Sequence, residues 1–144
     1  MAIGSGSTAL RQTIWLKAAP AKVWRVLTLE RHLRRWFTTP RKLELRKGGR
    51  WDFVGFPGKA LRVEKGRRLV HTHTFEPGSV SRMTYNLRPS GRYTQLVVVH
   101  DRFGKDRKTR GCWQGAWPFI LSNLKTYVET GAPMWETCFK GTES

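Results

Sequence analysis

Three of the four histidines in this 144-residue chain are spaced so that they could act on one bound molecule. His71 and His73 are two residues apart in the stretch RLVHTHTF, and His100 lies near the end of YTQLVVVHD. Both stretches alternate apolar and polar residues, which indicates strands whose side chains point in turn to opposite faces. The spacing therefore predicts that the three imidazoles share one face of a sheet with Tyr85.

Several kinds of chemistry are open to this group. Neutral imidazoles can transfer protons near neutral pH, and burial favours their neutral, basic form. With Tyr85 between them, His71, His73 and His100 are candidate general acids and bases for a carbonyl substrate. They could also bind a transition metal, but a His-x-His pair plus a remote histidine has neither a carboxylate nor a defined ligand spacing. We favour polar wall groups bonded to each other, to Tyr85 or to water, and predict no metal and no cofactor.

The elements that must position these residues are mostly strands. From Arg41 to Asp101 the sequence repeats with a period of two, and Gly, Pro and Ser residues separate the repeats. Before them, Pro20 begins a short helix, and a second short helix, LERHLRRWF, ends before Pro40 because the residue preceding proline avoids helical geometry. The sequence predicts a seven-stranded antiparallel meander with strands at residues 12–18, 42–46, 50–56, 59–64, 68–75, 80–88 and 93–101.

A long amphipathic helix is predicted from Gly115 to Gly131. Its apolar stripe has helical spacing and consists of Trp117, Ile120, Leu121, Leu124 and Val128. We place Pro118 in the first turn, where a missing N–H costs least, and Gly131 ends the helix. Only the sheet is long enough to cover this stripe together with Phe119 and Tyr127. The fold class is therefore α+β.

The order of these elements resembles the SRPBCC, or START-like, helix-grip superfamily. The resemblance is carried by AAPAKVW, LRRWF, KGGRW, GRRLVHTHT and AWPFILSNLKTYVETG. Within the superfamily it is strongest to the bacterial homologues of the activator of the heat-shock-protein-90 ATPase. It covers residues 12–131, with a flexible lead at 1–11 and a tail at 132–144. The family's strand four usually reads Gly-x-Val-x-Glu-Val, whereas this chain has Gly58, Ala60, Arg62 and Val63.

This resemblance implies a curved sheet that wraps around the C-terminal helix and leaves a hydrophobic cavity for small apolar molecules. Strand parity also points Leu43, Leu45, Leu61, Val63, Leu69, Phe75, Leu87 and Leu96 inward. Trp36 and Phe37 would lie at the cavity mouth, as a plug in the core or as a lid. The expected ligand-binding residues are Trp36, Trp51, Phe53, His71, His73, Met83, Tyr85, Val98, His100, Trp117 and Leu121.

Three classes of function remain open at this point. The first is a carrier or sequestering protein for an aromatic or other apolar molecule, and GGRW and WPFIL also resemble the enediyne-resistance proteins of this superfamily. The second is an enzyme of the cyclase or aromatase type that uses the cavity histidines. The third is an interaction module, either a co-chaperone or a nucleic-acid binder.

Charge is the basis of the nucleic-acid alternative. The chain has 27 Lys and Arg residues against 10 Asp and Glu residues, a balance that attracts polyanions by counterion release. Parity points basic residues to the outer face of the sheet beside Trp15, with Glu44, Asp52 and Glu64 as the only acids there. These basic residues are Lys17, Lys42, Arg46, Arg50, Arg62, Arg68, Arg82 and Arg88. We expect at most weak polyanion binding.

Location is the last expectation from the sequence. No apolar run approaches the roughly 18 residues of a membrane span, and residues 1–10 lack the apolar segment of a signal peptide. Cys112 and Cys138 do not have the spacing of a zinc site or a redox motif. Two free thiols are typical of a reducing compartment, so we expect a cytoplasmic protein without membrane insertion.

Overall fold

A computed structural model of the chain describes residues 8–136. Seven strands and three helices follow one another along these residues. In chain order they are β1 (Leu10–Leu16), α1 (Pro20–Thr28), α2 (Glu30–Trp36), β2 (Pro40–Leu43), β3 (Trp51–Phe53), β4 (Ala60–Glu64), β5 (Arg68–Glu76), β6 (Ser79–Ser90), β7 (Tyr93–Asp101) and α3 (Arg107–Thr130). No helix among these residues is long and apolar enough to cross a membrane.

The strands form two sheets and not the single sheet predicted. Five strands pair antiparallel in the order β1-β7-β6-β5-β4, and β2 pairs with β3 alone. The short strands β2 and β3, of four and three residues, meet the larger sheet at the isolated bridge between Arg50 and Lys59. The prediction of an α+β helix-grip fold is confirmed, with a long C-terminal helix against a large antiparallel sheet.

Helix α3 begins eight residues earlier than predicted. Asp106 caps its start, because the carboxylate accepts a hydrogen bond of 2.9 Å from the Thr109 N–H. Gly131 ends the helix in the left-handed conformation, as expected. Pro118 lies inside the helix and not in its first turn, so that placement was wrong. Pro118 is on the exposed side of the helix, so a bend of the helix at this residue does not disturb the core.

The apolar stripe of α3 packs on the inner face of the five-stranded sheet. Trp117, Leu121 and Leu124 are at most 2% exposed. The stripe extends back to Trp113, which lies before the predicted start of the helix at Gly115. Phe119 was expected to be covered, but it is 44% exposed because it lies on the outer side of the helix.

Strand parity holds on β5, β6 and β7 but fails around the short strands. Leu45 was expected inside and is 44% exposed, whereas Asp52 was expected outside and is 3% exposed. On β4, Ala60 is buried while Leu61 is only partly buried, since a bulge between Ala60 and Arg62 shifts the register. Strands of three or four residues interrupted by bulges do not keep one face turned to the core.

Candidate functional site

The three histidines meet where β5, β6 and β7 face the N-terminal half of α3. His71, His73 and His100 are each at most 2% exposed, so the predicted convergence is observed. Residues 8–136 contain no group of three His, Cys, Asp or Glu side chains arranged to hold a metal ion. The cluster is therefore described by its hydrogen bonds and its aromatic contacts.

His100 is fully bonded inside the protein. The Trp117 indole N–H donates to its Nδ1 at 3.0 Å, and an indole nitrogen can only donate. The Nδ1 atom must therefore be unprotonated, and Nε2 carries the proton and donates it to Ser81 Oγ at 2.6 Å. The Ser81 hydroxyl in turn donates to the His73 carbonyl at 3.4 Å. This chain fixes one neutral tautomer of His100.

His71 is held between rings and one backbone group. Its Nδ1 lies 2.9 Å from the Thr72 carbonyl, so this nitrogen donates its proton there. The Tyr85 ring stacks on the imidazole with ring centroids 5.7 Å apart. The centroid of the Trp51 ring lies 5.9 Å from that of the imidazole. The Tyr85 hydroxyl is directed to Met83 Sδ at 3.7 Å. Tyr85 therefore packs beside His71 without a hydrogen bond to the histidines.

Burial holds all these groups in their neutral forms. Desolvation lowers the pKa of His71 to about 4, and lowers the pKa of His73 and of His100 to about 3 with a further contribution from neighbouring histidines. Desolvation also raises the pKa of the Tyr85 hydroxyl. A general base works best with a pKa near the working pH, and none of these groups has one.

His73 differs from the other two because one of its nitrogens is unbonded. The Nε2 atom of His73 and the Nε1 atom of Trp113 are both buried, and neither has a hydrogen-bond partner within residues 8–136. The two rings touch, with centroids 5.3 Å apart and planes at 89°. A buried polar atom without a partner costs about 1–3 kcal/mol, so two of them on touching rings require an explanation.

Aromatic rings surround this pair of unbonded nitrogens. Measured between ring centroids, Phe56 stacks on His73 at 5.2 Å and Phe37 lies 6.4 Å from His73. The Phe75 and Trp113 centroids are 6.3 Å apart. All three phenylalanines are only partly buried. The rings that pack against His73 and Trp113 are therefore themselves partly exposed to solvent.

A buried carboxylate positions the loop that carries Phe56. Asp52 is held by Arg50, whose Nε donates to Oδ2 at 2.7 Å, and Asp52 Oδ1 accepts from the Gly58 N–H at 3.0 Å. A Cβ atom at Gly58 would lie 2.3 Å from the Thr72 carbonyl oxygen, so only glycine fits there. This close approach fixes the β3–β4 loop over β5 and sets Phe56 on His73.

The predicted ligand-binding residues are all buried in one core cluster. Trp36 is a plug and not a lid, since it is 1% exposed and its indole N–H donates to the Val26 carbonyl at 2.9 Å. Trp113 was not among the predicted residues, although it lies four residues before Trp117 and continues the stripe. Members of the core cluster include Trp36, Trp51, Phe53, Met83, Tyr85, Val98, Trp117 and Leu121, and the three histidines are buried among them.

The basic residues expected on the outer face differ in their pairing. Arg46, Arg62 and Arg82 form ion pairs with Glu44, Glu64 and Asp101. Arg50 pairs with the buried Asp52. Half of the eight predicted cations are therefore neutralised locally, and the unpaired charge lies elsewhere on that face.

The fold and this interior define a helix-grip protein with an aromatic, histidine-lined core. The chain belongs to the family described as "Activator of Hsp90 ATPase homolog 1-like protein", whose model matches residues 17–129. No curated protein sequence matches the chain.

Solved structures give the same fold. CalU16 from Micromonospora echinospora is 25% identical with a TM-score of 0.76, over 94% of this chain and 82% of that one. DynU16, from the dynemicin biosynthetic locus, is 23% identical with a TM-score of 0.77, over 88% of this chain and 49% of that one. The Aha1 dimer from Colwellia psychrerythraea is 20% identical with a TM-score of 0.74, over 85% of this chain and 97% of that one.

Proposed function

We propose that this domain binds a small aromatic molecule that carries a hydroxyl or carbonyl oxygen. The observation that carries the proposal is the pair of buried, unbonded nitrogens on His73 and Trp113. The Trp113 N–H needs an acceptor, and His73 Nε2 can donate or accept according to its tautomer. Because the two rings touch, one ligand could engage both nitrogens.

The surrounding rings favour a flat ligand. Phe37, Phe56 and Phe75 offer apolar faces beside the two nitrogens, and aromatic pairs add about 0.5–1.5 kcal/mol beyond the area they bury. A mostly apolar wall with a few polar groups fixes the orientation of a bound molecule, and the molecule does not need to be charged. The structural neighbour DynU16 comes from a biosynthetic locus, which agrees with a natural product as the ligand.

Binding is favoured over acid–base catalysis. His100 uses both ring nitrogens in internal hydrogen bonds, so it has no lone pair or proton to offer. The lowered pKa of His73, about 3, makes this imidazole a weak base at neutral pH. The candidate catalytic roles of His71 and Tyr85 meet the same objection, because burial lowers the pKa of His71 and makes it a weak base, and raises the pKa of Tyr85 and makes it a weak acid.

Fluorescence quenching and thermal shift test the proposal. The probes are a hydroxylated flavonoid, a hydroxylated anthraquinone and palmitate as an aliphatic comparison. We expect one of the aromatic probes to quench tryptophan emission and raise Tm more than palmitate does. His73→Phe and Trp113→Phe keep a ring but remove the nitrogen, so each should weaken binding about tenfold, the cost of one hydrogen bond.

Trp15→Phe is the matched control, because Trp15 is 48% exposed and lies outside the core. It should lower total emission without changing affinity. Equal affinity of the wild type and His73→Phe would contradict the proposed site. No shift in Tm with any probe would contradict aromatic ligand binding itself.

A further inference from the structure

A groove of about 810 Å³ crosses one end of the outer face of the five-stranded sheet, away from the core. Four arginines line it, Arg11, Arg67, Arg68 and Arg88, together with one acid, Glu64. The other lining groups are uncharged. Helix α3 packs on the opposite face of the sheet, and within residues 8–136 the helices contribute only Pro20, the first residue of α1, to the lining of the groove.

The positive charge in the groove is not neutralised by the protein. Arg11, Arg67 and Arg88 have no ion pair within residues 8–136, and Arg68 donates only to the Asn86 amide oxygen, at 2.7 Å. The single acid, Glu64, is already paired with Arg62 outside the groove. The groove therefore differs from the rest of the sheet face, where Arg62 and Arg82 are paired.

The strand register gives the spacing of these cations. Trp15 pairs with Gln95, which pairs with Arg88, so these three form one row across β1, β7 and β6. Arg68 belongs to the next row and Arg11 to the row after that. With strands about 4.8 Å apart and about 3.3 Å per residue, Arg68 lies about 8 Å from Arg88 and about 16 Å from Arg11. One phosphate cannot contact all of them, but a chain of phosphates can.

Trp15 adds an aromatic surface at the edge of this basic groove. Its side chain is 48% exposed, and it lies in the same row as Gln95 and Arg88. An exposed indole beside a row of cations matches the way single strands are bound, with bases stacked on rings and phosphates on arginines. Duplex DNA hides its base faces, so Trp15 would add nothing to duplex binding.

We propose that this groove binds single-stranded nucleic acid, with phosphates on Arg11, Arg67 and Arg88 and a base on Trp15. The contacts to phosphates carry no sequence information, so binding is expected to be non-specific and to weaken steeply with salt. The site is separate from the ligand site in the core and does not depend on it.

Fluorescence anisotropy with a labelled 12-nucleotide oligo-dT tests this proposal. The triple variant R11Q/R67Q/R88Q should bind at least tenfold more weakly at about 50 mM salt. The slope of log affinity against log salt should also become shallower by about 2, since each phosphate contact on a single strand contributes about 0.7. The matched control is R25Q/R31Q/R41Q, which removes three exposed arginines outside the groove and gives the same net charge.

The control variant should bind within about threefold of the wild type. An equal loss in both triple variants would overturn the proposal, because it would show a response to net charge and not to the groove. Absence of binding by the wild type at about 50 mM salt would also overturn it. Circular dichroism checks that each variant is folded.

Trp15→Leu separates nucleic acid from other polyanions. It should weaken oligo-dT binding about tenfold, the lower range of one lost base stack, and leave binding of inorganic polyphosphate unchanged. A 12-base-pair duplex should bind the wild type and Trp15→Leu equally. If Trp15→Leu leaves oligo-dT binding unchanged, the groove binds phosphate chains only and the single-strand proposal fails.

Discussion

The two ends of the histidine cluster are equally buried but differently bonded. At one end, His100 satisfies both ring nitrogens through Trp117 and Ser81. At the other end, the His73 and Trp113 nitrogens have no partner within residues 8–136. Burial alone therefore does not mark a functional site here. The difference lies in which end has already used its hydrogen-bonding capacity, because only unused capacity is available to a ligand.

Both ends of the histidine cluster depend on the packing of α3. Weakening that packing should lower the free energy of unfolding more than any other change considered below. Leu124 is fully buried, and Leu124→Ala should lower the free energy of unfolding by about 2–5 kcal/mol because the cavity it leaves cannot fully collapse. Urea unfolding measures this loss. Leu45→Ala is the control, since Leu45 is 44% exposed, and it should change stability by less than about 0.5 kcal/mol. A larger loss in Leu45→Ala than in Leu124→Ala would contradict the observed packing of both residues.

Substituting each histidine by phenylalanine tests the comparison directly. His100→Phe leaves the Trp117 N–H and the Ser81 hydroxyl without their partner, so it should cost about 2–4 kcal/mol. His73→Phe removes an unbonded nitrogen and keeps a ring, so the unfolding free energy should stay the same or rise by up to about 3 kcal/mol. Urea unfolding of both variants gives the difference. Equal losses would show that His73 Nε2 has a partner, such as a buried water, in the unliganded protein.

The pH dependence of stability sharpens the same comparison with a smaller effect. Burial lowers the pKa of His73 and His100 to about 3 and that of His71 to about 4, whereas an unfolded histidine titrates near 6.5. Between these pH values the unfolded chain binds more protons than the folded protein does. The contribution of each histidine to the free energy of unfolding is therefore complete above pH 6.5 and is lost as the pH falls. Each of the three histidines should lower the free energy of unfolding by about 1–2 kcal/mol when the pH is changed from 7 to 5.

The His73→Phe variant lacks one of these titrating groups. Its unfolding free energy should therefore decrease less than that of the wild type between the two pH values, by the contribution of one histidine. Urea unfolding at pH 7 and at pH 5 measures both decreases. Identical decreases would mean that His73 can take up a proton in the folded protein, which would contradict its burial.

Long regular elements were predictable from the sequence. Helix α1 begins at Pro20 as predicted. Strands β5 to β7 lie within two residues of their predicted bounds, because alternation over about nine residues with one face buried leaves a single register. For the same reason the convergence of His71, His73 and His100 was predictable. Alternation, however, gives the face of a residue and not its hydrogen-bond partners, so it could not separate His73 from His100.

Two errors had local physical causes. Gly111, Gly115 and Pro118 all weaken helix propensity, so the sequence placed the helix start at Gly115 and left Trp113 outside. The Asp106 cap and the spacing between Trp113 and Trp117 were signals for the longer helix. Leu45 was assigned to the wrong face because it lies in the loop between β2 and β3, and a loop has no fixed alternation. Asp52 is buried in the three-residue strand β3 because Arg50 and the Gly58 N–H bond its carboxylate.

The proline inside α3 also has a consequence for the motions of the helix. Pro118 has no N–H, so the carbonyl of Gln114 lacks its usual helical donor and the ladder of backbone hydrogen bonds is interrupted. Gly111 and Gly115 lie on the N-terminal side of this gap, where each lowers the local helix stability. We therefore expect the segment that carries Trp113 to open more readily than the segment from Leu121 onward. Amide hydrogen exchange would then be faster before the gap than after it.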